Sequence, residues 1–144
     1  GPQRDSLEQF ARGLNIEQRI RFLGQRQDVL RWLPACHLFW LASSFEGMSN
    51  SVMEAMASGI PVVASDIAPN RELVVPNETG YLVPVGDRAA FAQFAQKILQ
   101  DETLAARLGN AGRERIRQHF SVEGMVAGYA ELYRSLVGSG SATV

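Results

Sequence analysis

Residues 45–65 read Phe45-Glu46-Gly47-Met48-Ser49-Asn50-Ser51-Val52-Met53-Glu54-Ala55-Met56-Ala57-Ser58-Gly59-Ile60-Pro61-Val62-Val63-Ala64-Ser65, and the fold follows from the order of textures along them. A loop of small and polar residues leads into Ser51 to Ala57, whose composition predicts a helix with Gly59 as its stop. Ile60 to Ala64 is then a nearly continuous apolar run, and Leu38 to Ala42, on the other side of the loop, is another. Both are expected to be strands buried on both faces, the habit of parallel sheets.

Working outward, Gly80-Tyr81-Leu82-Val83-Pro84 supplies a further strand. From Asp87 the period changes to that of helices. Phe91, Ala95 and Ile98-Leu99 line one, Leu104, Leu108 and Ala111 a second, and Val122, Met125, Tyr129, Leu132 and Leu136 a third. Upstream, Gln3 to Leu14 carries Leu7, Phe10, Ala11 and Leu14 on one helical face. Ile20 to Leu23 reads as a short strand ended by Gly24, and Asp28 as the cap of a helical stretch through Ala35. Alternating strands and helices predict the α/β class with a parallel sheet. One domain is expected over residues 1–137, with a flexible tail at 138–144 that opens on Gly138-Ser139-Gly140-Ser141.

The totals narrow the function. A chain of 144 residues with 46% hydrophobic and 20% charged residues suits one globular domain and excludes a disordered or fibrous protein. Fourteen basic residues against fifteen acidic ones leave a net charge of -1. That gives no overall field for a nucleic-acid backbone or an anionic membrane, so an anionic ligand must be held locally. Cys36 is the only cysteine, which leaves no internal disulfide and points to a reducing compartment. The apolar run at Leu38 is far shorter than the ~18–20 residues of a membrane helix. His37 and His119 stand apart without an acidic or thiol cluster, so no metal is expected. Arg113, Arg115 and Arg117, interleaved with Glu114, read as a solvated helix face, and Trp32, Phe39 and Trp40 as core. Arg71 and Glu72 could reach the pocket after the strand at Pro61, and a short helix capped by Asn70 explains them equally well.

The segment from Glu46 to Val52 is where chemistry would sit. Open parallel sheets bind ligands beyond the carboxyl ends of their strands, where helix amino termini point free N–H groups at anions. Gly47 permits close backbone approach, and Ser49, Asn50 and Ser51 add donors. Glu46 and Glu54 flank the loop and would accept hydroxyl hydrogens. A nucleotide sugar, with hydroxyls at both ends of a diphosphate, fits that set. A plainer reading is equally local: Ser51 followed by Glu54 is a capping box that satisfies the helix's own amides. Glu123 and Glu131 repeat the glutamate spacing, so the pair by itself is not specific.

The surroundings are specific. Arg21 to Ser65 resembles the C-terminal donor-binding domain of the GT-B retaining glycosyltransferases of family four, the glycosyl transferases group 1, whose hallmark is two glutamates separated by seven residues. Gly1-Pro2 with Leu7 and Glu8, Phe22-Leu23-Gly24, Ala42-Ser43 before Glu46-Gly47, Glu54-Ala55-Met56-Ala57 before Gly59 to Val63, Gly80 to Pro84, and Phe120-Ser121 follow the family's order. The family often has proline where Ser49 stands and an acidic residue where His37 stands.

The resemblance implies a Rossmann-like, doubly wound parallel sheet with helices on both faces and C-terminal helices. It implies that Glu46 acts on the donor hexose beside the reacting carbon and that Glu54 binds the ribose hydroxyls. Gly47, Met48, Ser49 and Asn50 would offer N–H groups to the sugar and diphosphate, with Ser51 and Val52 nearest the phosphates. Gly24, Gln25 and Arg26 would sit near the base. The implied reaction is metal-independent glycosyl transfer, with retained configuration, from a nucleotide-diphosphate sugar to a glycan or lipid-linked acceptor.

The family's earlier strands, its arginine- and lysine-bearing phosphate loop and its N-terminal acceptor domain would precede Gly1. The chain as cut is therefore expected to be inactive alone, with Ile20 to Leu23 separated from Leu38 to Ala42 by a gap in the sheet. The implied setting is the cytoplasm, including peripheral association with the inner face of the membrane. Rival readings are a non-catalytic nucleotide-binding module and a GT-B-like sugar-nucleotide epimerase.

Overall fold

The computed structural model describes residues 2–138; of the expected tail, residues 139–144 lie outside the described residues. The elements run α1 (Arg4–Gly13), a 3-10 turn (Glu17–Arg19), α2 (Val29–Trp32) continued by a 3-10 turn (Leu33–Ala35), β1 (Phe39–Leu41), α3 (Asn50–Ala57), β2 (Val62–Ser65), α4 (Ala68–Leu73), β3 (Gly80–Val83), α5 (Arg88–Leu99), α6 (Glu102–His119) and α7 (Val122–Gly138).

The sheet has three parallel strands in the order β1-β2-β3, with Phe39 opposite Val62 and Val62 opposite Gly80. All four residues of the central strand β2 are buried. Side chains alternate across a strand, so β2 feeds two cores. Val62 and Ala64 pack with Val52 and Met56 of α3, Leu73 of α4 and Ile116 of α6. Val63 faces the other way, toward Tyr81, Val83, Phe91 and Ile98 of β3 and α5 and Leu108 of α6. Helices therefore cover both faces, and the fold is the α/β architecture that the sequence predicts.

Helix ends follow the sequence closely downstream. Asp87 and Asp101 cap α5 and α6 by accepting from the amides of Ala90 and Leu104, at 2.9 Å each. Gly59 ends the turn after α3 at φ +77°, a left-handed conformation that suits glycine.

Several expectations are overturned, each for a physical reason. Ile20 to Leu23 is not a strand: Ile20 is extended, but no neighbouring strand pairs with this segment among the described residues. The three strands that do form are contiguous, and Ile20 to Leu23, though not a strand, does lie apart from the strand at Phe39–Leu41, as the expected separation has it. β1 is not buried on both faces. Trp40 is 46% exposed, and its ring stacks on Phe91 with centroids 5.1 Å apart. Asp28 does not cap α2, because its carboxylate is committed to Arg26, at 2.7 Å on both oxygens, and to the Trp32 indole N–H at 3.1 Å. Trp32 is accordingly not core either; it lies under the Arg26 guanidinium, 4.9 Å from the ring centroid. The amphipathic stripe of α7 is present, yet Met125, Tyr129, Leu132 and Leu136 are all exposed among the described residues.

Of the three α6 arginines expected on a solvated face, Arg113, Arg115 and Arg117, two are structural ties. Arg113 donates to the Ser58 carbonyl, and Arg115 to the carbonyls of Glu72 and Leu73, while Arg117 alone makes the surface pair with Glu114. Helix C-termini leave carbonyls without intrahelical partners, and these cations satisfy those of α3 and α4.

Candidate functional site

Because the strands are parallel, the loop after β1 (residues 42–49) and the turn after β2 (Asp66–Ile67) share one edge of the sheet. That edge carries Glu46, the start of α3 and the start of α4. The helix begins at Asn50, one residue before the expected start at Ser51, and Ser49 is the N-cap. Ser51 is thus already helical, and the Ser51–Glu54 capping box does not form. Ser51 and Glu54 instead lie three residues apart on one helical face, opposite the buried Val52, Ala55 and Met56.

The loop is open where a ligand would approach. Around Gly47 nothing lies within 4 Å of where a side chain would start. Glu46 is half-buried and Glu54 exposed, and neither carboxylate has a partner among the described residues. Gly47 and Met48 are exposed, and no acceptor takes their amides or that of Ser51 among the described residues. Asn50 departs from expectation: its amide donates to the Met48 carbonyl at 2.9 Å and is already used. Val52 and Ser49 also depart from it, since both are buried and present no amide to the solvent side. The Met48 side chain borders a groove of about 350 Å³ lined also by Met53, His119, Phe120 and Met125.

Gly24 takes φ +68° with open space about it, and Gln25 and Arg26 are exposed. Arg26 is held by Asp28, whose bidentate hydrogen bonds raise the guanidinium pKa and hold the Asp28 carboxyl well below the usual carboxylate range. No hydrogen bond, ion pair or ring contact links this turn to the Glu46–Val52 segment among the described residues. Within the loop region the structure brings together Glu46, Gly47, Met48, Ser51 and Glu54.

Sequence reading misses one group. Behind the loop lies a buried polar network. The Ser49 hydroxyl donates to Asn70 Oδ1 at 2.5 Å, Asn70 Nδ2 donates to the Ser65 carbonyl at 2.8 Å, and the Ser65 hydroxyl reaches the Leu41 carbonyl at 3.4 Å. It ties together the ends of β1 and β2, the N-cap of α3 and the interior of α4. Asn70 is therefore not a helix cap; Ile67 holds that position. The available signal was a polar residue two positions from the alanine that opens a helix otherwise tucked under the sheet edge, which gives no hint of its partner. Arg71, next to it, turns outward to Asp66 at 2.6 Å and lowers that carboxyl's pKa.

An open loop and a helix start without a side-chain cap, at the carboxyl edge of a parallel sheet, define the class: an α/β protein with an open edge beyond its strands, the place where such folds bind their ligands. Within that class the chain belongs to the glycosyl transferases group 1 family, whose model matches residues 1–101. It is 33% identical to the lipopolysaccharide core biosynthesis glycosyltransferase LpsE of Rhizobium meliloti, over 94% of this chain and 40% of that protein. It is also 33% identical to the N-acetyl-alpha-D-glucosaminyl L-malate synthase of Bacillus anthracis, over 92% of this chain and 35% of that one. Among solved structures it resembles Anabaena Alr3699/HepE in complex with UDP, with a TM-score of 0.87 and 29% identity over 91% of this chain and 36% of that chain. The chain thus spans about 35–40% of the length of the curated relatives named here. Among the described residues no helix is long and apolar enough to cross a membrane.

Proposed function

We propose that this chain is the donor-binding part of a glycosyltransferase that takes a nucleotide-diphosphate sugar and transfers the sugar, with retained anomeric configuration and without a metal, to a glycan or lipid-linked acceptor. The observation that carries the reading is the exposed segment from Glu46 to Glu54 in a member of the glycosyl transferases group 1 family. It offers uncommitted amides at Gly47, Met48 and Ser51 between two carboxylates that have no protein partner.

In the proposed chemistry the diphosphate leaves from the face that the acceptor hydroxyl enters, and the sugar passes through an oxocarbenium-like state. The main task is to stabilise charge on the departing phosphate. Fixed N–H dipoles at the start of α3 do this without reorganising at the moment of reaction. Glu46 accepts hydroxyl hydrogens from the hexose, Glu54 those of the ribose, and the Gly24–Arg26 turn lies toward the base. Acceptor binding belongs to the remainder of the longer protein, at the cytoplasmic face of the membrane.

The test is calorimetric titration of the full-length enzyme with UDP, GDP and their sugar conjugates, followed by NMR assignment of the product anomer in the presence of EDTA. Diphosphates binding well above monophosphates, with a retained anomer and full activity in chelator, is the expected result. An inverted product or loss of activity on chelation contradicts the mechanism, and absence of nucleotide binding contradicts the reading itself.

A further inference from the structure

A serine at a helix N-cap ordinarily turns its hydroxyl oxygen back to accept from the second or third amide of its own helix. Ser49 occupies that position of α3 and does not do so: the helix has no side-chain cap bond. Its hydroxyl is drawn away to Asn70 Oδ1. The two amides such a cap would satisfy are those of Ser51 and Val52, and no acceptor takes either among the described residues.

Asn70 is well fitted to hold the hydroxyl there. Both ends of its amide are engaged, the oxygen with Ser49 and the nitrogen with the Ser65 carbonyl, and the residue has no exposed surface. It sits on α4, anchored by the bonds of Arg115 to the Glu72 and Leu73 carbonyls. A buried amide bonded at both ends resists rotation, because turning it would break two bonds with no water to replace them. The helix thereby forgoes a cap that ordinarily stabilises by about 1 kcal/mol.

We propose that Asn70 is a positioning residue for the donor diphosphate. By taking the Ser49 hydroxyl it leaves the first turn of α3 uncapped, so that the surface amide of Ser51 is free for a phosphoryl oxygen. This rests on the reading of the loop as a diphosphate site. Without Asn70 the hydroxyl turns inward, caps α3, and competes with the ligand for the Ser51 N–H.

The competition gives a sign that a purely structural tie would not. In the full-length enzyme, Asn70→Ala lowers UDP affinity about fivefold, the equivalent of a cap of about 1 kcal/mol. Ser49→Ala alone, which has no hydroxyl to compete, stays within about twofold of the wild type on the same scale. The double variant, Asn70→Ala with Ser49→Ala, recovers the affinity that Asn70→Ala lost, although it is the less stable protein. Uridine, which lacks the diphosphate, binds all four forms alike.

Affinities are read by calorimetry, with urea midpoints measured alongside, and Asn70→Thr replaces Asn70→Ala should the latter not fold. UDP affinity unchanged in the Asn70 variants, or a double variant weaker than the single, overturns the inference and leaves the diphosphate reading standing. A wild-type protein that binds neither UDP nor GDP removes that reading, and the inference with it.

Discussion

The Arg113 guanidinium donates to the Ser58 carbonyl at 2.9 Å and occupies the space a side chain on the next residue, Gly59, would need. One helical turn earlier on α6, Gly109 meets the Gly59 carbonyl oxygen so closely that a methyl group could not be placed there without shifting backbone. Helices α3 and α6 therefore meet through two glycines, and the close approach buries Met56 and Leu108 on the two sides of the sheet.

Gly109→Ala tests this packing because the local and tertiary effects have opposite signs. In an open helix the change would stabilise by about 1 kcal/mol. Here the new methyl group strikes backbone, and net destabilisation of about 1–3 kcal/mol is expected from overpacking. A raised urea midpoint would show that α3 and α6 are not in contact at Gly59.

Arg115 links α6 to the end of α4 through two 2.7 Å bonds and lies 5.7 Å from the Phe120 ring centroid. Arg115→Met keeps an apolar stem and removes the donors. Hydrogen bonds to charged groups contribute about 1.5–3 kcal/mol, and a loss in that range is expected in equilibrium unfolding. Arg115→Lys should recover only part of it, since an ammonium lacks the guanidinium's planar fork.

The two glutamates of the loop should separate kinetically in the full-length enzyme. Glu54→Ala raises KM for the nucleotide sugar with a smaller effect on kcat, whereas Glu46→Ala mainly lowers kcat. The physical ground is position. Glu54 is exposed one turn into α3, where the proposed reading puts the ribose, and the half-buried Glu46 lies in the loop itself, where it puts the hexose. Steady-state kinetics with varied donor settles the split; equal and negligible effects of both would remove these residues from the site.

Acid stability should depend on Glu114. The hydrogen bonds from Arg117, then Gln118, hold its carboxyl down at about 2 from an ordinary 4.5. A depressed carboxylate stabilises the fold in full above its unfolded value and loses that contribution as pH falls toward the folded one. Between pH 4.5 and about 2 the unfolding midpoint should therefore drop less steeply in Glu114→Gln than in the wild type. The pair is exposed, so the difference is small and shrinks further in high salt. Parallel acid titrations followed by circular dichroism measure it.

Downstream of Leu38 the architecture was legible because the signals are local. The apolar run ending at Ala64 and the glycine at 59 act within a few residues of themselves, and the chain places a strand and a stop where they stand. Upstream the same reasoning misfires at Ile20 to Leu23, because a strand needs a neighbour to pair with and extended backbone alone does not supply one. Asp28 misleads for a related reason. It has the composition of a cap, but Arg26 and Trp32 compete for its oxygens and win.

The candidate loop shows the same division. Glu46, Gly47 and Glu54 could be named from their order and their neighbours. Which amides are free could not, since that depends on Met48 folding back to Asn50 and on Ser49 finding Asn70, twenty-one residues away. The sequence by itself determined the class, the order of the elements and the residues that carry charge at the loop, because periodicity and capping are written in adjacent positions. Tertiary structure alone decided that Ser49 leaves its helix uncapped, that Arg113 and Arg115 bind helix ends, and that α3 and α6 touch through glycines. Those outcomes turn on competition between partners distant in the chain, and distance along a sequence says nothing of which partner wins.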